Sequence, residues 1–306
     1  MPETRVSAVN MGWVPDYPDF RDLTPDADSL TDKALRAGEK DSVKKMMGKL
    51  KLGAQKAAPN TSMDLRGDCS PIEDQGALGS CTAQAGVGML EYYEKRAFGK
   101  HIDASRLFLY KATRNLMHWT GDTGAYLRTT MGAMALFGVP PEEYWKYVIA
   151  DFDKEPPAFC YAFAQNYQSL QYFRLDPPGI DRKELLKRIK LFLCARLPLM
   201  FGFTVYQSIW GASDTGQIPY PGKDDRRAGG HAVVAVGFDD KKKIKIAGSD
   251  KSTTGALLIR NSWGTDWGEH GYGWLPYEYV LGSLAVDWWS LLKNEWVDTG
   301  KFGLGQ

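Results

Sequence analysis

Cys81 ends the glycine-rich stretch Gln75-Gly76-Ala77-Leu78-Gly79-Ser80-Cys81, directly before a long helical pattern. A thiol at a helix N-terminus meets orphan N–H groups and the positive end of the dipole. Its pKa is therefore expected to fall, and the thiolate is the nucleophilic form. Gln75 is far enough upstream to fold back and aim its amide N–H at the oxygen of a reacting carbonyl. A cysteine nucleophile also needs a base that can return a proton and a group that orients that base. Alone, such a cysteine has a plainer reading as a small buried hydrophobe, which is the reading for Cys69, Cys160 and Cys194.

The elements that must hold these residues can be read from periodicity. Ala83, Val87, Leu90 and Ala97 recur at helical spacing up to Phe98, with Gly99 as the stop. A second helix is expected from about Tyr126 to Phe137, closed by Gly138, and another over Arg182–Cys194. From about Leu170 the pattern changes to short strands between glycine turns: Tyr172–Leu175, Leu199–Val205, Ala232–Gly237, Lys243–Ala247, Ala256–Arg260 and Tyr272–Leu275. The expected class is α+β, with a helical lobe over about 62–169, a β-rich lobe with an antiparallel barrel over about 170–306, and the site in the cleft between them.

Two further segments go with the cysteine stretch. Gly229-Gly230-His231-Ala232-Val233-Val234-Ala235-Val236-Gly237 carries a histidine on a strand. Ile259-Arg260-Asn261-Ser262-Trp263-Gly264 carries an asparagine beside a tryptophan. Cysteine, histidine and asparagine in this order, each in its own motif, resemble the papain and cathepsin family of cysteine peptidases, over roughly Asp64 to Trp274. The resemblance implies a two-lobe fold and cleavage of peptide bonds through a thioester. In that scheme Cys81 is the nucleophile and His231 the base and acid. Asn261 orients the imidazole and Trp263 shields that bond. The Cys81 backbone N–H and the Gln75 side chain form the oxyanion hole. It also implies a peptide groove walled by Gly124 and Ala125, in which Tyr126 and Leu127 face the pocket for the side chain two before the scissile bond and Gly202, Gly230 and Ala232 line the other sides of that pocket. No charge is evident there, so apolar or aromatic side chains are expected. Alone, His231 reads equally as a strand histidine and Asn261 as a turn; together they read as a catalytic set. An exopeptidase, transpeptidase or amidase of the same chemistry stays open, with Gly211–Arg227 or Lys241–Thr254 as a groove-blocking loop, and so does a peptide-binding module.

The 306 residues carry 38 Lys and Arg against 37 Asp and Glu, so composition offers no argument for nucleic acid or a membrane surface. The expected partner is a peptide or protein substrate. The four cysteines show no Cys-x-x-Cys pair, and neither metal nor cofactor is expected. Family members usually carry a disulfide whose two halves correspond to Leu78 and Asp122 here, so this chain resembles members without that staple. Met1–Pro18 has no apolar core of a signal peptide, which makes a cytoplasmic location the default expectation.

Residues 1–61 read as an N-terminal arm or prosegment ahead of a catalytic domain over 62–306. Met1–Asp32 has seven acidic residues against two basic, with Trp13, Tyr17 and Phe20 as anchors. Lys33–Lys56 has eight basic against two acidic, with a weak helical pattern in Leu35, Val43, Met46, Met47 and Leu50. Ala57–Thr61 reads as a linker. The expectation is an intramolecular inhibitor held by its basic half.

Overall fold

The computed structural model describes residues 11–30, 38–52, 58–167 and 171–304. Leu35 and the beginning of the Ala57–Thr61 linker lie outside them.

The first lobe is built on α2 (Cys81–Phe98), α3 (Arg106–Leu116), α4 (Leu127–Phe137) and the short α5 (Ala158–Ala164). Helix α2 is the axis of the molecule: every residue from Cys81 to Tyr93 is buried, so it is covered on all sides. It ends where expected. Gly99 takes φ 76°, and its N–H donates to the Lys95 carbonyl. Its start lacks a side-chain cap because the Ser80 hydroxyl pairs with the Tyr147 hydroxyl at 2.7 Å. The first N–H groups of α2 are therefore left for the Cys81 sulfur.

The second lobe is a sheet in the order β2 (Gln171–Arg174), β7 (Ala285–Leu292), β3 (Leu199–Tyr206), β4 (Arg227–Lys245), β5 (Ser252–Arg260) and β6 (Tyr272–Pro276), all neighbours antiparallel. A further strand, β1 (Ser62–Asp64), adds to β4. The expected barrel is open, because this path runs from β2 to β6 without the two ends pairing. The stretches Ala232–Gly237 and Lys243–Ala247 form a single 19-residue strand for most of their length. Shifts of register at Ala235/Gly237 and Asp239/Lys243 bend it, and such bulges let a long strand curve. Helix α6 (Arg182–Cys194) starts at Asp181, whose carboxylate accepts from the Lys183 and Glu184 N–H groups.

The N-terminal region divides into two pieces. Residues 38–52 are part of the body. Helix α1 (Val43–Lys49) places Val43, Met46, Met47 and Leu50 in the main core. Asn294, the first residue of α7 (Asn294–Val297), accepts from the Lys40 and Asp41 N–H groups and donates to the Asp41 carboxylate at 2.7 Å. Residues 11–30 instead run over the surface to the mouth between the lobes. Their acidic residues hold on to the body: Asp22 takes a two-pronged contact from Arg128 at 2.7 Å on both prongs, and Asp16 pairs with the same guanidinium. The acidic half, not the basic half, makes this attachment. The lysines of α1 pair with Asp28, Asp41 and Asp298.

This division predicts different costs for different truncations. A chain starting at residue 31 should melt below the full chain, having lost the buried Trp13 and the Asp22 contacts, and one starting at residue 62 lower still, having lost α1 as well. Met46→Ala alone should cost about 2–5 kcal/mol, the range for emptying a buried methionine site. Urea unfolding of the three variants checks this.

Candidate active site

The sulfur of Cys81 lies where the start of α2 meets β4. It is reached by the backbone N–H of Ala232, the residue after His231, and by those of Thr82 and Cys81 itself. The histidine strand thus runs directly beside the thiol. His231 Nε2 and Asn261 Oδ1 are 2.8 Å apart. The same Oδ1 accepts from the Ser262 N–H at 2.9 Å, which fixes the asparagine and leaves Nε2 as the imidazole donor. The other ring nitrogen, Nδ1, is buried without a hydrogen-bond partner among the described residues. Trp263 stacks on the imidazole at 4.6 Å and 26°. Trp210 stacks on Trp263 in turn and Trp267 meets it edge-on, a second layer the sequence reading did not name.

Gln75 is buried and tied to the asparagine segment. Its N–H donates to the Ser262 carbonyl, its Oε1 accepts from the Ser262 hydroxyl at 2.7 Å, and its Nε2 donates to the Leu78 carbonyl at 2.8 Å. One amide hydrogen is thus spent on its own turn. Asp122 carries the link between the two turns where the sequence reading noted a missing disulfide. Its carboxylate accepts from the Gly79 N–H at 3.0 and 3.1 Å and from the Tyr110 hydroxyl at 2.6 Å. All four cysteines are free and buried.

The residues expected to line a peptide groove are brought together, and residues 12–14 lie among them. Gly12 O accepts from the Ala125 N–H at 2.8 Å, the Val14 N–H donates to Ala125 O at 3.1 Å, and the Trp13 N–H donates to Gly230 O at 3.1 Å. Trp13 pairs with Ala125 in the parallel sense. The Gly12 N–H reaches the Cys81 sulfur. Gly12 must be a glycine: a Cβ there would collide with the Gly79 carbonyl. One on Gly124 would likewise strike the Gly12 carbonyl. Trp13, 4% exposed, fills a slot against Gly202 and Gly230. Ala232 lies opposite Gly202 in the β3–β4 register. Leu127 is buried at the start of α4, and the Tyr126 ring leans on Trp119 at 5.3 Å. At the far end of the slot stands Asp287, whose Oδ2 accepts from Trp13 Nε1 at 3.2 Å. The expectation of an uncharged pocket is therefore corrected: the charge comes from β7, a strand that carries no motif.

Burial reverses the expected ionisation. Desolvation pushes the Cys81 thiol up to about 11, against the pull of its four backbone donors. Burial likewise brings His231 down to about 4, with the Asn261 bond opposing. With the cleft covered, the pair is a neutral thiol and a neutral imidazole. The helix start still favours the thiolate, but the loss of water outweighs it.

These features define a buried cysteine–histidine–asparagine constellation at the seam of a helical lobe and an antiparallel sheet. The sequence profile described as papain family cysteine protease matches residues 59–280. An uncharacterized peptidase C1-like protein, L477, of Acanthamoeba polyphaga mimivirus is 31% identical over 295 residues, covering 94% of this chain and 88% of that one. Cathepsin K of Gallus gallus is 30% identical over 216 residues, covering 68% of this chain, which spans 55% of the length of that relative. Among solved structures, xylellain, a cysteine protease from Xylella fastidiosa, matches with a TM-score of 0.70 at 29% identity, covering 94% of this chain and 97% of that one. The procathepsin B S9 of Trypanosoma congolense shares the fold, with a TM-score of 0.58 at 17% identity and coverage of 94% and 86%. The chain belongs to the papain family of cysteine proteases.

Two outcomes follow for the thiols. At pH 7 a thiol titrating about four units higher is ionised in roughly one molecule in ten thousand. Alkylation of Cys81 in the full chain should therefore keep rising above pH 10, and Gly12→Leu should move the profile down by more than one unit. Identical profiles, with modification mapped by mass spectrometry, would contradict this. Because no bridge joins Leu78 and Asp122, melting curves with and without dithiothreitol should coincide, and a large drop on reduction would show a disulfide among the cysteines.

Proposed function

We propose that this cysteine peptidase is an endopeptidase that cuts peptide bonds through Cys81, His231 and Asn261, and that residues 11–14 hold it latent by occupying its groove. The observation that carries the reading is the orphaned Nδ1 of His231. The other nitrogen of that ring is fixed by Asn261, and the next residue on the strand donates its N–H to the Cys81 sulfur. A lone pair held in that orientation is what a thiol proton requires.

With the groove open, the thiol proton passes to Nδ1, and the imidazolium stabilises the thiolate. The sulfur attacks the scissile carbonyl carbon, and the carbonyl electron pair moves to oxygen. The Cys81 N–H and the side-chain amide of Gln75 stabilise that oxyanion. As it collapses, the carbon–nitrogen bond breaks and Nδ1–H protonates the departing amine, leaving a thioester. Water then gives a proton to Nδ1 and attacks the thioester, releasing the acid and restoring the thiol. Trp263 and Trp210 keep solvent from the His231–Asn261 bond, where the competition of water would be strongest.

Latency rests on two attachments. The backbone of Gly12–Val14 pairs with Ala125 and Gly230 as a strand-like ligand would, and Arg128 clasps Asp16 and Asp22. A tethered segment has an effective concentration in the millimolar range for a short linker, so modest contacts suffice to exclude substrate. The segments considered as groove-blocking loops pair with each other: Tyr220 bridges Ile246, and the Ala247 N–H donates to the Tyr220 carbonyl. That favours cleavage within a chain over trimming from an end.

Cys81→Ala should abolish turnover of a fluorogenic peptide while leaving the melting point unchanged. His231→Ala should lose more than Asn261→Ala, since Asn261 only orients the base. Gly12→Leu should raise turnover of the full chain at least tenfold, as the bulkier residue cannot share space with Gly79, and Arg128→Ala should raise it less. Equal turnover of Gly12→Leu and wild type would end the latency reading, and retained hydrolysis by Cys81→Ala would end the nucleophile assignment.

A further inference from the structure

The slot that Trp13 fills has a construction of its own. Two of its walls have no side chain. A Cβ on Gly202 would overlap the indole, and one on Gly230 would lie 2.8 Å from its ring carbon Cε3. The space is therefore cut to the thickness and breadth of a large aromatic ring. Its far end is a carboxylate, Asp287, fully buried and held in the left-handed region at φ 64°, which is uncommon for a residue with a side chain. The Asp287 N–H donates to Asp176 Oδ2 at 2.8 Å. Its Oδ1 accepts from Trp289 Nε1 at 2.7 Å and lies 3.2 Å from Arg174 Nη1. Arg174 is in turn paired with Asp176 at 2.9 Å. These contacts fix Oδ1 to the body of the protein and turn Oδ2 into the slot, where its hydrogen-bond donor is Trp13 Nε1.

We propose that Asp287 is the specificity-determining residue of this slot, and that it selects substrates placing tryptophan there, through the hydrogen bond now made by the indole of Trp13. The inference rests on the reading of the groove as the substrate site. Once the arm leaves, Oδ2 is a buried acceptor without a donor at the end of an apolar slot. A substrate phenylalanine would fill the slot and leave that oxygen unpaired, whereas tryptophan brings both the ring and the N–H. Sites built around a buried hydrogen bond discriminate strongly against ligands lacking the partner group. A cationic side chain is the poorer match, because its charge would come beside the guanidinium of Arg174. Burial also pushes the Asp287 carboxyl up to about 7, with Arg174 opposing, so it holds less than a full counter-charge near neutral pH. The arm thus displays, in its own sequence, the side chain for which the slot is shaped.

The test uses the full chain carrying Gly12→Leu together with Trp13→Ala, which breaks the fit of the backbone over Cys81 and empties the slot. Fluorogenic peptides differing only two residues before the scissile bond (Trp, Phe, Leu or Arg) are compared by kcat/KM. Labelling of Cys81 with a peptidyl epoxide reports separately whether the site is competent. The expected result is a preference for Trp over Phe of about tenfold or more. Adding Asp287→Asn should bring that ratio to about one. Asparagine tolerates the left-handed backbone, and its oxygen must stay with Trp289 and Arg174, which turns an NH2 donor toward the indole N–H. Gly202→Ala, which leaves Asp287 in place, should independently suppress Trp and spare Leu. A Trp to Phe ratio near one with Asp287 intact, or faster cleavage of the Arg peptide, overturns the inference while leaving the labelled site standing. Absence of labelling and of turnover on all four peptides takes down the groove reading together with it.

Discussion

The rest of the molecule depends on the contact between the first turn of α2 and β4. One sulfur atom takes backbone N–H groups from both, so a helix start and a strand from different lobes must meet to within a hydrogen bond. The wholly buried α2 fixes one side of that contact. On the other side, the β3–β4 register sets Gly202 opposite Ala232 and Phe203 opposite His231. The segment after β5 then completes the site, because Ser262 ties both Asn261 and Gln75 to one turn. A shift of one residue in β4 would carry His231 to the opposite face of the sheet and undo the site. The carboxylate of Asp122, bonded to Gly79, steadies the turn before the cysteine without a covalent link.

The same contact explains why ionisation and access are coupled. A helix N-terminus lowers a thiol pKa by an amount that depends on how much water remains around the sulfur. Under Gly12 the Cys81 thiol has no exposed surface, and desolvation dominates. One act, the departure of residues 11–14, would therefore both open the groove and restore the thiolate. In the proposed latent state a neutral thiol would also be protected against oxidation and alkylation, which attack the thiolate. The anchor for this state is divided between backbone pairing at Ala125 and charge pairing at Arg128, and only the latter is weakened by salt.

Much of this was legible in the sequence. The helix from the cysteine to Phe98, α6 and most of the strands follow from periodicity and glycine stops, and the three motif segments mark the residues that meet at the seam. Other features were hidden for physical reasons. β7 is dense in tryptophan and lies among aromatic residues, so it has no clean alternation, and Asp287 had no pattern to mark it as a slot floor. The bulges in β4 are tertiary, and two short strands were expected where one bent strand runs. Trp210 matters only through its stacking on Trp263, a contact between segments some fifty residues apart in the chain. The charge pattern of the N-terminal region suggested one arm held by its basic half. Burial of Val43, Met46 and Leu50 instead makes 38–52 part of the core, and the acidic residues of 11–30 find Arg128.

The central claim is that the segment around Trp13 and a substrate compete for one groove beside Cys81. Amide hydrogen exchange of residues 11–14, followed by mass spectrometry before and after covalent labelling of Cys81 with a peptidyl epoxide, tests it most directly. The Trp13 and Val14 amides, bonded to Gly230 and Ala125 in the unlabelled protein, should exchange slowly at first and at the rate of free chain once Cys81 carries the peptidyl group. Complete labelling of Cys81 with the protection of residues 11–14 unchanged would contradict it.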